Sequence, residues 1–496
     1  MKLLLIVTNV KNWPLNIPNV EVVSAKKYIT EPVFSRMTGV RVFNVARVYR
    51  YQELGYYVSL LAEARGHRPV PSITTIRDLH TPAMVRLANV ELSGLIQKML
   101  RSIRTDRFTL SIYFGKNTAH RYDDLCRELF NRFHCLFLRA EFIRGNDGSW
   151  DLQNVNPIGM GDVPESHYGF ILKTAKSYFA AAGYRRPVRQ SYRYSMAILH
   201  RPDELNSPSN PRALEKFVKA GKKLGIEADL ITRENFSRIG EYDALFIRET
   251  TSVNDHTFRF ARYAEADGLV VIDDPQSIIK CANKVYLAEM LAHQHVKTPH
   301  TMIVHRDNVD LIVHEIGLPC ILKQPDGSFS AGVKKATSNE ELEQHALAML
   351  DRSELIIAQE FLPTEFDWRV GILDRQALYV CRYYMAPNHW QIIHNERRRN
   401  RREGKFESVP LQEAPPALFK AALRATNSIG DGLYGVDIKQ IGSRFYVMEV
   451  NDNPNIDAGV EDGILKDTLY DRILSVFLAR IEARKMIPLK NGFANE

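Results

Sequence analysis

The sequence has few cysteines and no cysteine motif. Its five cysteines, Cys126, Cys135, Cys281, Cys320 and Cys381, are scattered, and none forms a CxxC pair. Such spacing gives neither a disulfide framework nor a zinc site and fits a reducing, cytoplasmic setting. Long hydrophobic runs are missing too: nothing approaches the roughly 18 apolar residues of a membrane span. The opening MKLLLIVTN has five consecutive apolar residues after one lysine. That is too short for a signal peptide and suits a first strand. No internal repeat and no long low-complexity segment is present. A Walker A loop is also missing, because Gly327-x4-Gly332 is followed by Val333 where that motif needs Lys and Ser/Thr.

What is present is a chain of 496 residues, 45% hydrophobic and 25% charged. This is ordinary globular composition, and the length calls for about two to four domains. The net charge of +8 suits nucleic acid, but it suits phosphates and anionic small molecules equally well.

Patterning divides the chain. Residues 1–187 mix apolar runs such as Leu3–Val7 with helical stretches such as ANVELSGLIQKMLRSI (88–103) and RYDDLCRELFNRF (121–133). They read as an α/β module whose role the residues do not reveal. Residues 188–280 have a βαβ cadence and read as a small parallel-sheet domain. Its first helix starts at Asn210 as N-cap with Pro211 in the first turn, and closes at Gly225. Arg248 and Glu249 fall at the carboxyl end of one of its strands, where ligands of such sheets bind; a surface ion pair is the alternative. Residues 281–485 alternate short helices with strands that read as antiparallel, and 486–496 form a tail.

The densest chemistry lies in FYVMEVNDNPN (445–455) and the strand before it, YGVDIKQ. Side chains alternate across a strand, so Glu449 and Asn451 share one face. If Ile441, Gly442 and Ser443 form a three-residue turn, Asp437 falls opposite Val447 and joins that face. A two-residue turn puts it on the wrong one. Two half-buried carboxylates repel each other and lose hydration, and a divalent cation relieves both penalties. Asp437, Glu449 and Asn451 make an all-oxygen set of the kind Mg²⁺ takes when substrate phosphates complete its octahedron. Two solvent-facing acids in a plain hairpin are the alternative.

Lys323 ends the apolar strand CILK before a loop with Gly327 and Gly332. A lysine there can hold phosphate oxygens, and the glycines let backbone N–H groups approach them; an ordinary hairpin is the bland reading. AQEFL (358–362) can offer backbone groups to an adenine edge, or be a buried edge strand.

In this order and spacing, the pieces resemble the ATP-grasp fold, and most closely the RimK-like carboxylate–amine ligases. The likeness covers roughly residues 190–485. It rests on Lys284 in CANKVYLAEML, Lys323 before the glycine loop, QEFL, Asp367 and Arg369 in DWRV, GVDI (435–438) and MEVNDNPN. The first 185 or so residues resemble the N-terminal domain appended to such proteins. The fold class implied is α/β, α+β in the catalytic part: an ATP-grasp domain preceded by a small parallel-sheet domain and a further N-terminal α/β module. The resemblance implies that Lys284 and Lys323 contact ATP phosphates and that Glu360 and Leu362 sit in the adenine hinge. It implies that Asp437, Glu449 and Asn451 hold two Mg²⁺ ions, for which Mn²⁺ can substitute. Arg382 is then expected to neutralise the phosphoryl group or acyl phosphate, and Arg248, Glu249 and Arg369 to face substrate.

One departure stands out. Gln391 occupies the place of an arginine in the family pattern, and the glycine pair that follows is absent from HWQIIHNERRRNRREGKF. The basic run at 395–405 reads as a solvated excursion or as a lid over an anionic substrate. Nucleic acid is disfavoured, since no aromatics are interleaved to stack bases. The function implied is ATP-dependent ligation of a carboxylate to an amine through an acyl phosphate, on amino acids or peptides, glutamate-like ones above all. A kinase that stops at phosphoryl transfer and a non-catalytic nucleotide-binding protein are the rivals. The partners are then a small carboxylate and an amine, or a peptide or protein terminus. No membrane is implied, and a homo-oligomer stays open.

Overall fold

The computed structural model describes residues 2–145, 147–181, 192–326, 332–387, 389–395 and 401–485. The candidate phosphate-loop residue Gly327, residues 396–400 of the basic run and the 486–496 tail lie outside the described residues. The chain divides into two compact units. One runs to Ser195 and adds Gly225–Glu227 and Glu234–Asp243; the other comprises Met196–Leu224, Ala228–Arg233 and everything from Ala244 onward.

In the first unit, β1 (Lys2–Val7), β2 (Glu21–Ser24), β3 (Val40–Asn44) and β4 (Arg68–Val70) form a parallel sheet in the order β2-β1-β3-β4. The five apolar residues at the start of the chain are indeed strand β1, and all five are buried. A strand buried on both faces reads as a continuous apolar run rather than an alternation, which is how LLLIV reads. An antiparallel sheet follows, made of β5 (Arg107–Tyr113), β6 (Phe137–Arg144) and β7 (Trp150–Pro157). The two helices expected here span Pro82–Leu100 and Asp123–Arg132.

The next sheet, most of whose residues belong to the second unit, holds β8 (Tyr194–Leu199), β9 (Ile226–Ile231), β10 (Ala244–Ile247) and β11 (Val270–Ile272), in the order β11-β10-β8-β9. Strand β10 pairs in parallel with β8 and β11. The helix Pro211–Lys223 starts as its sequence dictates: the Asn210 carboxamide oxygen accepts from Ala213 N at 2.9 Å, and Pro211 occupies the first turn. Next come β12 (Thr301–Val304), β13 (Cys320–Lys323), β14 (Val333–Ala336) and β15 (Ile356–Glu360), antiparallel in the order β12-β15-β13-β14. The final sheet contains β16 (Phe366–Leu373) and β17 (Gln376–Tyr384). A small ribbon of β18 (Ile393–Asn395) and β19 (Arg401–Glu403) interrupts before β20 (Phe406–Val409), β21 (Leu433–Ile441) and β22 (Arg444–Asn451). The sheet order is β20-β17-β16-β21-β22.

One face of this last sheet is apolar. Trp368, Val370, Val436, Ile438, Val447 and Val450 are buried with Leu418, Ala422 and Ala425 of the helix Pro416–Asn427. The opposite face carries the polar residues of the same strands, so the helix-backed core holds the backbone that presents the site. The last helix, Asp467–Lys485, buries Leu469, Ile473 and Phe477 at intervals of four; Leu465 of the expected stripe precedes it. All five cysteines are buried and free. Among the described residues no helix is long and apolar enough to cross a membrane.

Candidate active site

The β21–β22 turn differs from the expected one. Ile441 pairs with Arg444, so the turn has two residues, Gly442 and Ser443, with Gly442 at φ +60°. On a regular ladder such a turn would carry Asp437 away from Glu449. A bulge corrects this: Ile438 pairs with Val447, but Asp437 pairs with Glu449, leaving Met448 as the extra residue. An extra residue on one strand shifts its alternation by one. Asp437, Glu449 and Asn451 therefore share a face, and the Asn451 amide donates to Asp437 Oδ2 at 3.3 Å.

Cations from three elements meet these oxygens. Lys284 starts the helix Lys284–His293, and its ammonium lies 2.8 Å from Glu449 Oε1. Arg369 on β16 is paired with Asp437 in the β ladder and grips its carboxylate with two donors, Nε to Oδ1 and Nη2 to Oδ2, the latter at 2.9 Å. Lys323 ends β13 and donates to Gln359 Oε1 at 2.7 Å. Gly435, opposite Asn451, lets this packing close: a Cβ there would lie 2.6 Å from Pro454 Cβ and 3.2 Å from Arg369 Cδ.

The electrostatics follow from burial against pairing. Burial pushes the Lys323 ammonium down to about 8; Glu449 opposes that, and Lys284 and Lys439 add to it. Burial alone would raise Glu449, but Lys284, then Lys323, hold its carboxyl below the usual range. Burial raises Asp437, with Arg369 pulling against it. Burial also works against the Arg369 charge, and Asp437 more than offsets it. Each acid thus has its own cationic partner.

Two residues of this cluster lie in motifs quoted from the sequence but carry no role there. Lys439 donates to Asp367 Oδ1 and Thr364 Oγ1, both at 2.6 Å. It follows Asp437 by two residues, so period-two alternation was the signal that could have placed it. Gln359 bridges Lys323 to Thr301, its amide donating to Thr301 Oγ1 at 2.9 Å; one polar residue in an apolar strand gave no hint of its partner. At the end of β15, Glu360 accepts from His300 N at 3.2 Å, and Leu362 lies half-buried just beyond. Gly332 has φ +76° and packs on Gln324.

Three expected residues are placed elsewhere. Arg382 lies opposite Trp368 and so shares the apolar, helix-backed face rather than that of Asp437. Its guanidinium stacks on Trp368 at 4.8 Å and pairs with Glu407 at 3.2 Å. The expectation that it meets the phosphoryl group is corrected by strand parity; Arg369 is the arginine among the acids. Arg248 is wholly buried and donates to Ser209 Oγ (3.0 Å), Asn453 Oδ1 (2.7 Å), Pro208 O (2.5 Å) and Pro454 O (2.7 Å). It clamps the turn after β22 and has little left for a substrate. Glu249 is buried and paired with His256, whose imidazole it holds above its ordinary range. These two do not face an open acceptor site.

The donor set tests whether a metal fits. Among the described residues no three His, Cys, Asp or Glu side chains gather as a metal group. The set here is instead two carboxylates and an amide, hard oxygens in a small number, which suits Mg²⁺ with phosphate ligands and not zinc.

Residues 25–174 match the RimK-like ATPgrasp N-terminal domain, and residues 281–465 match the RimK-like ATP-grasp domain. A probable alpha-L-glutamate ligase of Marinomonas sp. is 26% identical over 55% of this chain and 93% of its own length. The alpha-aminoadipate–LysW ligase LysX of Saccharolobus solfataricus is 28% identical over 49% of this chain and 90% of its own. The crystal structure of a RimK domain ATP-grasp protein from Sphaerobacter thermophilus superposes with a TM-score of 0.44 at 17% identity, covering 57% of this chain and 99% of that one. The chain thus carries a RimK-like ATP-grasp N-terminal domain followed by a RimK-like ATP-grasp domain, the architecture of an ATP-grasp carboxylate–amine ligase.

Proposed function

We propose that this chain joins the carboxylate of an amino acid or peptide to an amine, glutamate-like substrates being favoured, with ATP cleaved to ADP and phosphate. The single observation that carries the reading is the convergence of Lys284, Lys323 and Arg369 on Asp437, Glu449 and Asn451 across one sheet face. Cations and oxygen ligands interleaved in this way suit a polyanion and its counter-ions. An acceptor carboxylate oxygen attacks the γ-phosphorus and ADP departs. The amine nitrogen then attacks the acyl carbon, the C–O bond to phosphate breaks, and an amide remains.

The protein's part is positioning and charge neutralisation. Lys284 and Lys323 hold phosphate oxygens, and Arg369 faces the charge that builds on the transferred group. Glu360 and Leu362 flank the adenine. Two Mg²⁺ ions, or Mn²⁺ in their place, bound by Asp437, Glu449 and Asn451, would neutralise the triphosphate. The glutamate preference is supported by the basic balance of the chain and by the ligases it resembles.

The test is ADP release with Mg²⁺ and a panel of carboxylates and amines, with mass spectrometry of the products. A new amide whose formation tracks ADP supports the reading. ADP formed without any amine, leaving a stable phosphorylated product, would make the chain a kinase. ATP binding without turnover of any pair would make it a binding protein.

A further inference from the structure

The face that carries Arg369 and Asp437 continues onto β17. Tyr383 pairs with Asp367 and Cys381 with Arg369 in the ladder, so Tyr383 belongs to the site face and not to that of Arg382. Its ring lies 5.4 Å from the Arg369 guanidinium, and it is only partly buried. Its hydroxyl donates to Glu461 Oε1, and the other oxygen of Glu461 accepts from Asp457 N at 2.7 Å. Glu461 itself is 2% exposed and has no cationic partner among the ion pairs of the described residues. A buried carboxylate held by a hydroxyl and one N–H, and not neutralised, is costly unless it has work to do. The ligand chemistry described so far uses neither residue.

Resting on the ligase reading, we propose that Tyr383 and Glu461 form the relay that takes the proton from the incoming amine. An amino acid arrives mostly as its ammonium form, and an ammonium has no lone pair for attack. Before attack, one proton of the ammonium passes to Tyr383 Oη while the hydroxyl proton of Tyr383 passes to Glu461; the free amine then bonds to the acyl carbon, the C–O bond to phosphate breaks, and the departing phosphate takes the second nitrogen proton. The tyrosine ends neutral, and the glutamate ends as the acid. A cavity lined by Tyr379, Ser408, Glu461 and Arg472 adjoins the carboxylate, so the accepted proton has a route to water. The titratable and charged groups facing Glu461 are Tyr379, Tyr383, Cys381, Arg248, Asp457 and Tyr470, with Arg472 across the shared cavity. Burial raises the Glu461 carboxyl to about 7, with the Tyr383 hydrogen bond opposing it; a base for an amine at neutral pH needs a value in that region.

The test separates the two half-reactions in Glu461→Gln and Tyr383→Phe, using ATP, Mg²⁺ and L-glutamate, which supplies both carboxylate and amine. Hydroxylamine, uncharged at neutral pH, traps the acyl phosphate as a hydroxamate without needing a base. Hydroxamate formation in both variants should stay close to the wild-type rate, and it certifies that each variant is folded. Amide formation should fall by about 100-fold or more. Wild-type amide formation should bend more steeply downward below about pH 7, where Glu461 is protonated, and that added bend should vanish in Glu461→Gln. Unimpaired amide formation in either variant, or an equal loss of both half-reactions, overturns the relay. A wild-type protein that forms neither hydroxamate nor ADP overturns the ligase reading and the relay together.

Discussion

Asp437 faces Glu449 directly across the β21–β22 ladder, and Met448, the extra residue of a bulge, makes this possible. The two carboxylates are kept apart electrostatically by separate cations, Arg369 on one and Lys284 on the other. This division of partners gives each residue a separable role.

Glu449→Gln removes one oxygen anion while keeping shape and a hydrogen-bond acceptor for Lys284. Mg²⁺-dependent ADP release should drop by about 100-fold or more, with little change in the melting midpoint. Calorimetric melting alongside an ADP-release assay checks both. Full activity in this variant would remove Glu449 from the metal set.

Lys323 sets a pH dependence. Its ammonium is pushed down to about 8 by burial, so in the free protein it is charged below that value and neutral above it. A triphosphate favours the charged form. The affinity for a non-hydrolysable ATP analogue should therefore weaken above about pH 8, towards about tenfold per pH unit. Binding there should also take up a proton, read by calorimetry in two buffers of different ionisation enthalpy. Lys323→Arg, charged throughout, should lose this dependence.

Arg369→Ala and Arg382→Ala should part company. The first uncovers the buried Asp437 carboxylate and should abolish ligation. The second removes a cation–π stack and a half-exposed ion pair and should cost about 1 kcal/mol in denaturant unfolding, with ADP release largely kept.

Arg248→Lys should destabilise rather than alter substrate affinity. One ammonium cannot serve four acceptors spread over Ser209, Asn453, Pro208 and Pro454, and buried acceptors left unpaired cost about 1–3 kcal/mol each. A lowered urea midpoint with an unchanged KM in the surviving folded fraction is the expected pair of results.

Gly435→Ala should cost about 1–3 kcal/mol by overpacking against Pro454. Its new methyl also crowds Arg369, so kcat should fall further than stability alone predicts.

What the sequence by itself determined was local. Asn210 and Pro211 start a helix, LLLIV forms a buried strand, Lys323 ends another, and alternation puts Glu449 beside Asn451, because caps and strand parity depend only on near neighbours in the chain. Tertiary structure alone decided the rest. The turn has two residues where the shared face called for three, and a bulge at Met448, invisible to alternation, restores the facing of Asp437. Arg382 and Tyr383 are adjacent in the chain, yet one packs on Trp368 and the other on the site face. Arg248 looked like a ligand-binding residue at a strand end, and a turn more than 200 residues later took its donors. Pairing across such separations is set by which backbones the folded core brings together, and no short window of sequence contains that information.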